Sequence, residues 1–232
     1  MKQKPRIDVL SDILRATRLY ASSYFCKDFS APWGLDQPKT EFGAFYVVVH
    51  GTAWVKTTEL DKLTYLSAGD IIAFPTGIAH QIFDESGSNI LYGPEVLSKL
   101  KQGINPFLGN EKVTTLLCGY FQYDKKILLP LLRDMPKALH IKSESGSELI
   151  WLNYLVKILA NESQYPQPGG SVVIDRLTEV LIIQLLRWHI NHQKNAQGYF
   201  KALSDRQLNS ALHLMHKHPE KAWTVEIFGD AV

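Results

Sequence analysis

The stretch from Gly69 to Asp84 constrains the fold of this chain more than any other. It reads Gly-Asp-Ile-Ile-Ala-Phe-Pro-Thr-Gly-Ile-Ala-His-Gln-Ile-Phe-Asp. Glycine tolerates a positive φ and aspartate hydrogen-bonds its own backbone, so the opening Gly-Asp pair predicts a tight turn. The central Pro-x-Gly sequence predicts a second turn, and we expect Ile71–Phe74 and His80–Phe83 to pair as a hairpin. Alternation along the second strand gives His80 one defined face.

The composition is that of an ordinary folded protein. Of the 232 residues 45% are hydrophobic, and the formal charge of +2 is spread along the sequence, which does not indicate binding to nucleic acid or to a membrane. Cys26 and Cys118 lie far apart, and no Cys-x-x-Cys pattern indicates a disulfide framework or a zinc finger. There is no run that could span a bilayer and no apolar signal core at the N-terminus. We therefore expect a soluble cytoplasmic protein with no membrane partner.

Short strands separated by turns dominate the sequence from Ala21 to about Tyr123. The aromatic and β-branched run Phe45–His50 is broken by Gly51 and resumes at Ala53–Thr57. Val113–Tyr123 predicts a further strand. Strands at such regular spacing favour a sandwich or a barrel.

The pattern then becomes helical. Leu149–Glu162 repeats apolar residues at the spacing of a buried helical face. Ser171–Ile190 is apolar on nearly every side, so it must be covered on more than one face, and a partner subunit is a reasonable second cover. We therefore predict a homodimer that forms through four residues of this helix: Leu177, Val180, Leu181 and Leu185. A last helix is predicted at Asp205–His218, with Ser204 as its N-cap.

The spacing of Gly69, Pro75, Gly77 and His80 resembles the second motif of the cupin proteins, G-x5-P-x-G-x2-H. Asp84 stands where that motif usually has Asn. The resemblance implies a β-barrel whose interior holds a small molecule or a metal. The first cupin motif, which normally supplies His-x-His and a later Glu, is absent from the preceding strands.

A narrower resemblance covers nearly the whole chain. It is carried by six segments: Phe45–Val49, Gly51–Trp54, Gly69–His80, Leu117–Phe121, Ala202–His216 and Trp223–Val225. Together they are similar to AraC/XylS-type transcription regulators with an N-terminal cupin sensor. The resemblance implies an α+β chain with a cupin-like, ligand-sensing barrel or sandwich at 1–142 and a helical dimerisation segment and linker at 143–198. Residues 199–232 would be the start of a helix-turn-helix domain.

In such regulators a C-terminal domain of two helix-turn-helix units binds DNA. Here Ser204–His218 would be its first helix, and Thr224–Phe228 would begin the first helix-turn-helix shortly before the sequence ends. A helix-turn-helix reads DNA through a second helix laid in the major groove. We therefore expect a chain truncated early in this domain and unable to bind DNA alone, with DNA as a partner only if the missing region were present.

Five residues are candidates for a pocket that holds a small apolar or aromatic effector: Tyr46, Trp54, Phe74, His80 and Phe83. Aromatic side chains in strands also form ordinary core, so both interpretations stay open. His80 is either a ligand contact or metal ligand inside the barrel, or a hydrogen-bonded anchor of the turn. Cys118 is either a soft co-ligand for zinc beside His80 or a small core residue.

The resemblance also bears on cofactors and catalysis. In regulators of this kind a histidine often stands at the position of Tyr46 and a cysteine at that of Ala53, which would complete a tetrahedral zinc set. This chain lacks both, so we expect no metal or other cofactor. The alternative function is a metal-dependent cupin enzyme, such as a dioxygenase or isomerase, which needs several inward ligands and an open coordination position. We expect instead a regulatory binding protein that is not an enzyme.

Overall fold

The computed structural model describes residues 9–16, 18–57, 63–85, 89–109, 112–124, 134–143, 150–165, 167–192, 201–202, 205–218 and 220–224. Residues 193–198, at the end of the predicted dimerisation segment and linker, lie outside them, as do Ser204 and residues 225–228. The chain divides into two compact units. One comprises Tyr20–Gln122 and Pro136–Gln184, and the other comprises Met1–Leu19, Tyr123–Met135 and Leu185–Val232.

The first unit contains two five-stranded sheets. One has the order β1 (Tyr20–Ser30), β9 (Val113–Gln122), β3 (Gly43–His50), β6 (Ile71–Phe74), β10 (Leu139–Ile141). The other has the order β5 (Thr64–Ser67), β4 (Thr52–Thr57), β7 (His80–Phe83), β2 (Gly34–Gln37), β8 (Ile90–Tyr92). Paired strands are antiparallel except β2 and β8, which are parallel. Side chains from both sheets form one buried cluster, which includes Phe29, Tyr46 and Phe74.

Five helices occur in the described part of the chain: α1 (Val9–Ala16), α2 (Gly93–Lys101), α3 (Ile150–Gln164), α4 (Gly170–His192) and α5 (Arg206–Lys217). The predicted α+β class is confirmed. The sequence did not predict α2, which begins with Gly93 and Pro94, where the missing N–H of proline costs no hydrogen bond. The N-cap of α5 is Asp205 and not the predicted Ser204, since the Asp205 carboxylate accepts hydrogen bonds from the backbone N–H groups of Gln207 and Leu208 at 2.9 and 3.0 Å. None of these helices is long and apolar enough to cross a membrane.

Asp70 holds the turn between β5 and β6. Its carboxylate accepts hydrogen bonds from the backbone N–H of Ser67 at 3.1 Å and of Ser143 at 2.8 Å, and from His140 Nε2 at 3.1 Å. Burial raises the pKa of Asp70, but these three hydrogen bonds outweigh it and keep the pKa below its usual value. With Gly69 at a φ of +89°, the predicted tight turn is confirmed. Asp70 also fastens β10 to this edge of the sheet.

The predicted hairpin of β6 and β7 is wrong, although both strands have the predicted bounds. β6 pairs with β3 and β10, whereas β7 pairs with β2 and β4 of the other sheet. The turn between them therefore carries the chain from one sheet to the other. Backbone hydrogen bonds hold this turn, from Gly77 N to Phe74 O at 3.0 Å and from Thr40 N to Gly77 O at 2.8 Å. As a result, His80 faces Tyr46 of the opposite sheet.

The second unit contains α1, α5 and the last residues of α4. Val9, Ile13 and Leu186 form its buried cluster. In the same unit, the Asp12 carboxylate of α1 lies 2.9 Å from Nδ1 of His213 on α5. Apolar burial and the contact between Asp12 and His213 thus join helices that are far apart in the sequence.

Candidate ligand-binding site

Three polar side chains meet between the two sheets. His80 Nδ1 lies 2.7 Å from the carbonyl oxygen of Ile78, which can only accept, so this nitrogen carries the proton. Nε2 is then an acceptor and takes a hydrogen bond from the Tyr46 hydroxyl at 2.9 Å. Cys118 is the cross-strand partner of Tyr46, and its thiol interacts with the same hydroxyl. Tyr46, His80 and Cys118 therefore form a polar chain, in which a hydrogen bond joins Tyr46 to His80 and Cys118 is the cross-strand neighbour of Tyr46.

Burial keeps this polar chain uncharged. It lowers the pKa of His80 to about 4, against the opposing effects of the Ile78 carbonyl and the Asp36 charge. Burial also raises the pKa of the Tyr46 hydroxyl well above its usual value and raises that of the Cys118 thiol. At neutral pH the three groups are therefore a neutral imidazole, a phenol and a thiol.

A cavity of about 200 Å³ lies beside the polar chain. Its walls come from β1, β3, β9, the start of α2 and the segment from Gln37 to Phe42, and no Asp, Glu, Lys or Arg side chain lines it. Apolar cavities of about 150 Å³ can hold benzene. This cavity therefore has room for a ligand the size of one substituted aromatic ring.

The structure brings together three of the five predicted pocket residues. Tyr46 and His80 line the cavity, and the ring of Phe74 stacks on His80 with centroids 3.9 Å apart. Trp54 and Phe83 do not line it. They are cross-strand partners on β4 and β7, and alternation puts them on the face opposite to the buried residues of both strands.

Most of the other lining residues were not predicted from the sequence, and Tyr24 and Gln37 are two of them. Neighbouring residues of a strand normally point to opposite faces, yet Tyr24 and Phe25 both line the cavity. The pairing of β1 with β9 shifts register between Ser23 and Phe25, and this bulge re-aims the side chains. The run around Tyr24 gives no local signal of a bulge. Gln37 reaches the cavity because it ends β2 beside the start of α2.

The possible metal ligands His80 and Cys118 both interact with Tyr46, and both ring nitrogens of His80 already have hydrogen-bond partners. Among the described residues there is no group of three or more His, Cys, Asp or Glu side chains that could hold a metal ion.

The four residues predicted for dimer contacts differ in exposure. Leu181 and Leu185 are buried within the chain, with 0% and 3% exposed, and therefore offer no surface to a partner. Val180 is 42% exposed, and Leu177 is half-buried. Any contact made by this set must therefore use Leu177 and Val180.

Comparison with known proteins gives related regulators over nearly the whole chain. The HTH-type transcriptional regulator AlkR of Acinetobacter baylyi is 26% identical over 239 residues, which cover 97% of this chain and 74% of AlkR. The HTH-type transcriptional regulator MtrA of Neisseria gonorrhoeae is 23% identical over 227 residues, which cover 95% of this chain and 72% of MtrA.

The solved structures give a weaker similarity. Apo ToxT from Vibrio cholerae has 7% identity and a TM-score of 0.38, with 91% of this chain and 68% of that chain covered.

A family match extends over most of the sequence, since residues 8–191 match the family described as Cupin. The matched residues include both sheets, the polar chain and the cavity. The chain therefore belongs to the cupin family.

Proposed function

We propose that this chain is the ligand-sensing and dimerisation part of an AraC-type transcription regulator. The observation that carries the proposal is the cavity of about 200 Å³ beside the polar chain. Residues 1–142 would bind a small-molecule effector, residues 143–198 would form the homodimer, and residues 199–232 would begin the helix-turn-helix domain. The names of AlkR and MtrA, both HTH-type transcriptional regulators, support this assignment.

The chemistry of the site supports a binding protein and not an enzyme. Nε2 of His80 is engaged by Tyr46, and a pKa of about 4 makes the imidazole a weak base. The Cys118 thiol stays protonated because burial raises its pKa, and a thiol is a poor nucleophile. These groups can orient a ligand by shape and hydrogen bonding, but they are poorly suited to acid–base or nucleophilic catalysis.

An effector in the cavity would touch several elements at once. The lining includes residues of β1 and β3 and the side chain of Leu97 on α2. A ligand that contacts all of them stabilises the arrangement in which they lie close together. Effector binding can therefore alter the population of states that the chain presents to the rest of a regulator.

Replacing Leu97 by Trp is expected to block effector binding, because the larger side chain fills the cavity. The test is a thermal-shift measurement with toluene, benzyl alcohol, benzoate, octane, octanoate and glucose. At about a hundredfold excess over Kd, a ligand should raise the Tm of the unmodified chain by about 5–10 °C. Leu97→Trp should abolish this shift.

The matched control is Leu108→Trp, since Leu108 is 82% exposed and does not line the cavity. It should keep the full ligand-induced shift. A panel in which no compound stabilises the chain would count against effector binding. So would an equal shift in the Leu97→Trp protein.

We also propose that α4 supplies the dimer contact through a stripe formed by Val173, Leu177 and Val180. These residues are spaced by four and three positions, the spacing at which helices pair along a seam. Val173 and Val180 are each 42% exposed. The occupant of this stripe is a second copy of the chain, because the same stripe can pair with itself about a two-fold axis.

Val180→Glu is expected to convert the dimer to a monomer, because each of the two copies of the chain then places one charge in a small apolar contact. Sedimentation equilibrium of the full chain measures this change. Val172→Glu is the matched control, since Val172 is 59% exposed and lies about 80° around the helix from Val180. It should remain dimeric. An unmodified chain that is monomeric at high concentration would contradict the proposal.

A further inference from the structure

Two polar groups in the wall of the cavity have no hydrogen-bond partner in the described part of the chain. They are the hydroxyl of Tyr24 and the side-chain amide of Gln37. The ring of Tyr24 is held by stacking on Tyr120, with centroids 4.7 Å apart. By contrast, Tyr46 and His80 are hydrogen-bonded to each other, and the Cys118 thiol interacts with the Tyr46 hydroxyl. The unused hydrogen-bonding capacity of this wall therefore lies at Tyr24 and Gln37.

The two groups offer both kinds of hydrogen bond. A phenol donates one hydrogen bond and accepts others, while a glutamine amide offers an N–H₂ donor and a carbonyl acceptor. A ligand hydroxyl has the same double capacity, so it can donate to one group and accept from the other. Polar groups in a partly enclosed site favour a ligand that pairs with them over one of equal shape that does not.

The rest of the wall disfavours a charged ligand. No lining residue carries a formal charge at neutral pH, because His80 is neutral and the other lining residues have no charged side chain. A carboxylate or ammonium group buried here would lose its hydration without gaining a counter-charge. The cavity therefore favours a ligand that is both small and uncharged.

The start of α2 is the part of the wall whose partial positive charge could attract an anion. A helix N-terminus carries a partial positive charge and free N–H groups. Here Pro94 removes one of those N–H groups, and Glu95 places a negative charge in the first turn. Both effects weaken the attraction, so this end of α2 does not compensate for the missing counter-charge.

We propose that the cavity binds an uncharged molecule the size of one substituted aromatic ring, whose hydroxyl group pairs with Tyr24 and Gln37. The inference rests on the proposed function, because the ligand occupies the same effector cavity. It adds the chemical class of the effector and names the two residues that recognise it. Benzyl alcohol is a simple member of this class.

The test is a calorimetric titration of the full chain at pH 7 with benzyl alcohol, toluene and benzoate. The three probes share one ring and differ in a hydroxyl, a methyl and a carboxylate group. Benzyl alcohol is expected to bind about tenfold more tightly than toluene, because only it satisfies the two polar groups. Benzoate is expected to bind more weakly than benzyl alcohol by at least about the same factor.

Two variants locate the hydroxyl contact. Tyr24→Phe and Gln37→Leu each remove one of the two hydrogen bonds, so each should lower the affinity for benzyl alcohol by about threefold and leave the affinity for toluene unchanged. The matched control is Tyr20→Phe, because Tyr20 lies on the same strand, bonds Asp175 and does not line the cavity. This control should bind all three probes as the unmodified chain does.

The possible outcomes separate this inference from the proposed function. Equal affinity for toluene and benzyl alcohol would overturn the inference, since the cavity would then select by shape alone. Tighter binding of benzoate would overturn it in favour of an anion site at α2. If octane, octanoate or glucose stabilises the chain through the cavity while benzyl alcohol does not, the effector class is wrong and the sensing function stands. If no compound binds, both fail.

Discussion

Replacing Gly77 by Ala should lower the free energy of unfolding by about 3 kcal/mol or more. Gly77 has a φ of +63°, a left-handed conformation that is costly for alanine. The added Cβ would also meet the carbonyl oxygens of Thr40 and Phe42, the first of them at 2.6 Å. These are backbone atoms, and they cannot withdraw without disturbing the hydrogen bond from Thr40 N to Gly77 O. The steric clash therefore adds to the conformational cost.

The measurement is urea unfolding of Gly77→Ala beside a matched control, Gly103→Ala. Gly103 has a similar φ of +79°, but an added Cβ there meets nothing within 4 Å. The control isolates the conformational cost, which is about 1–2 kcal/mol. Equal losses in the two variants would mean that the contact with Thr40 has no energetic effect. Because Thr40 and Phe42 line the cavity, Gly77→Ala should also weaken ligand binding.

Local chemistry explains why the two strands in the stretch from Gly69 to Asp84 could be predicted, whereas their pairing could not. The bounds of Ile71–Phe74 and His80–Phe83 follow from an apolar run and two turn signals, all within a few residues. Their assignment to different sheets depends on pairing with strands far away in the chain. Proline and glycine indicate that the chain changes direction at Gly77, but they do not indicate which strand the next strand pairs with. The sequence of this turn therefore cannot be distinguished from that of a hairpin turn.

The same reasoning applies to the pocket residues. Alternation puts His80 inside, and because Phe83 is three residues further along the strand, it lies on the other face. The sequence alone could therefore have excluded Phe83. Tyr24 could not have been found in this way, since it lines the cavity through a bulge in β1. Gln37 depends on the position of α2, whose presence was not predicted.

The stability of the first unit should fall by about 3 kcal/mol as the pH drops from about 6.5 to about 4, because of His80. Burial lowers the pKa of this histidine from 6.5 to about 4 in the folded chain. Between these values the unfolded chain binds a proton that the folded chain does not. Stability is therefore complete above the unfolded pKa, is lost as the pH falls, and levels off below the folded pKa. The Asp36 charge opposes the effect, but burial dominates.

Denaturant unfolding of the unmodified chain and of His80→Asn between pH 7 and 4 tests this prediction. The variant should be less stable at pH 7, because Tyr46 and the Ile78 carbonyl lose a partner, but its profile should be flatter by about 3 kcal/mol. Subtracting the two profiles removes contributions of other titrating groups that both proteins share. His50→Asn is the matched control, since His50 is exposed at the end of β3. It should keep the slope of the unmodified chain, whereas parallel profiles for His80→Asn would show that the buried imidazole takes up its proton without penalty.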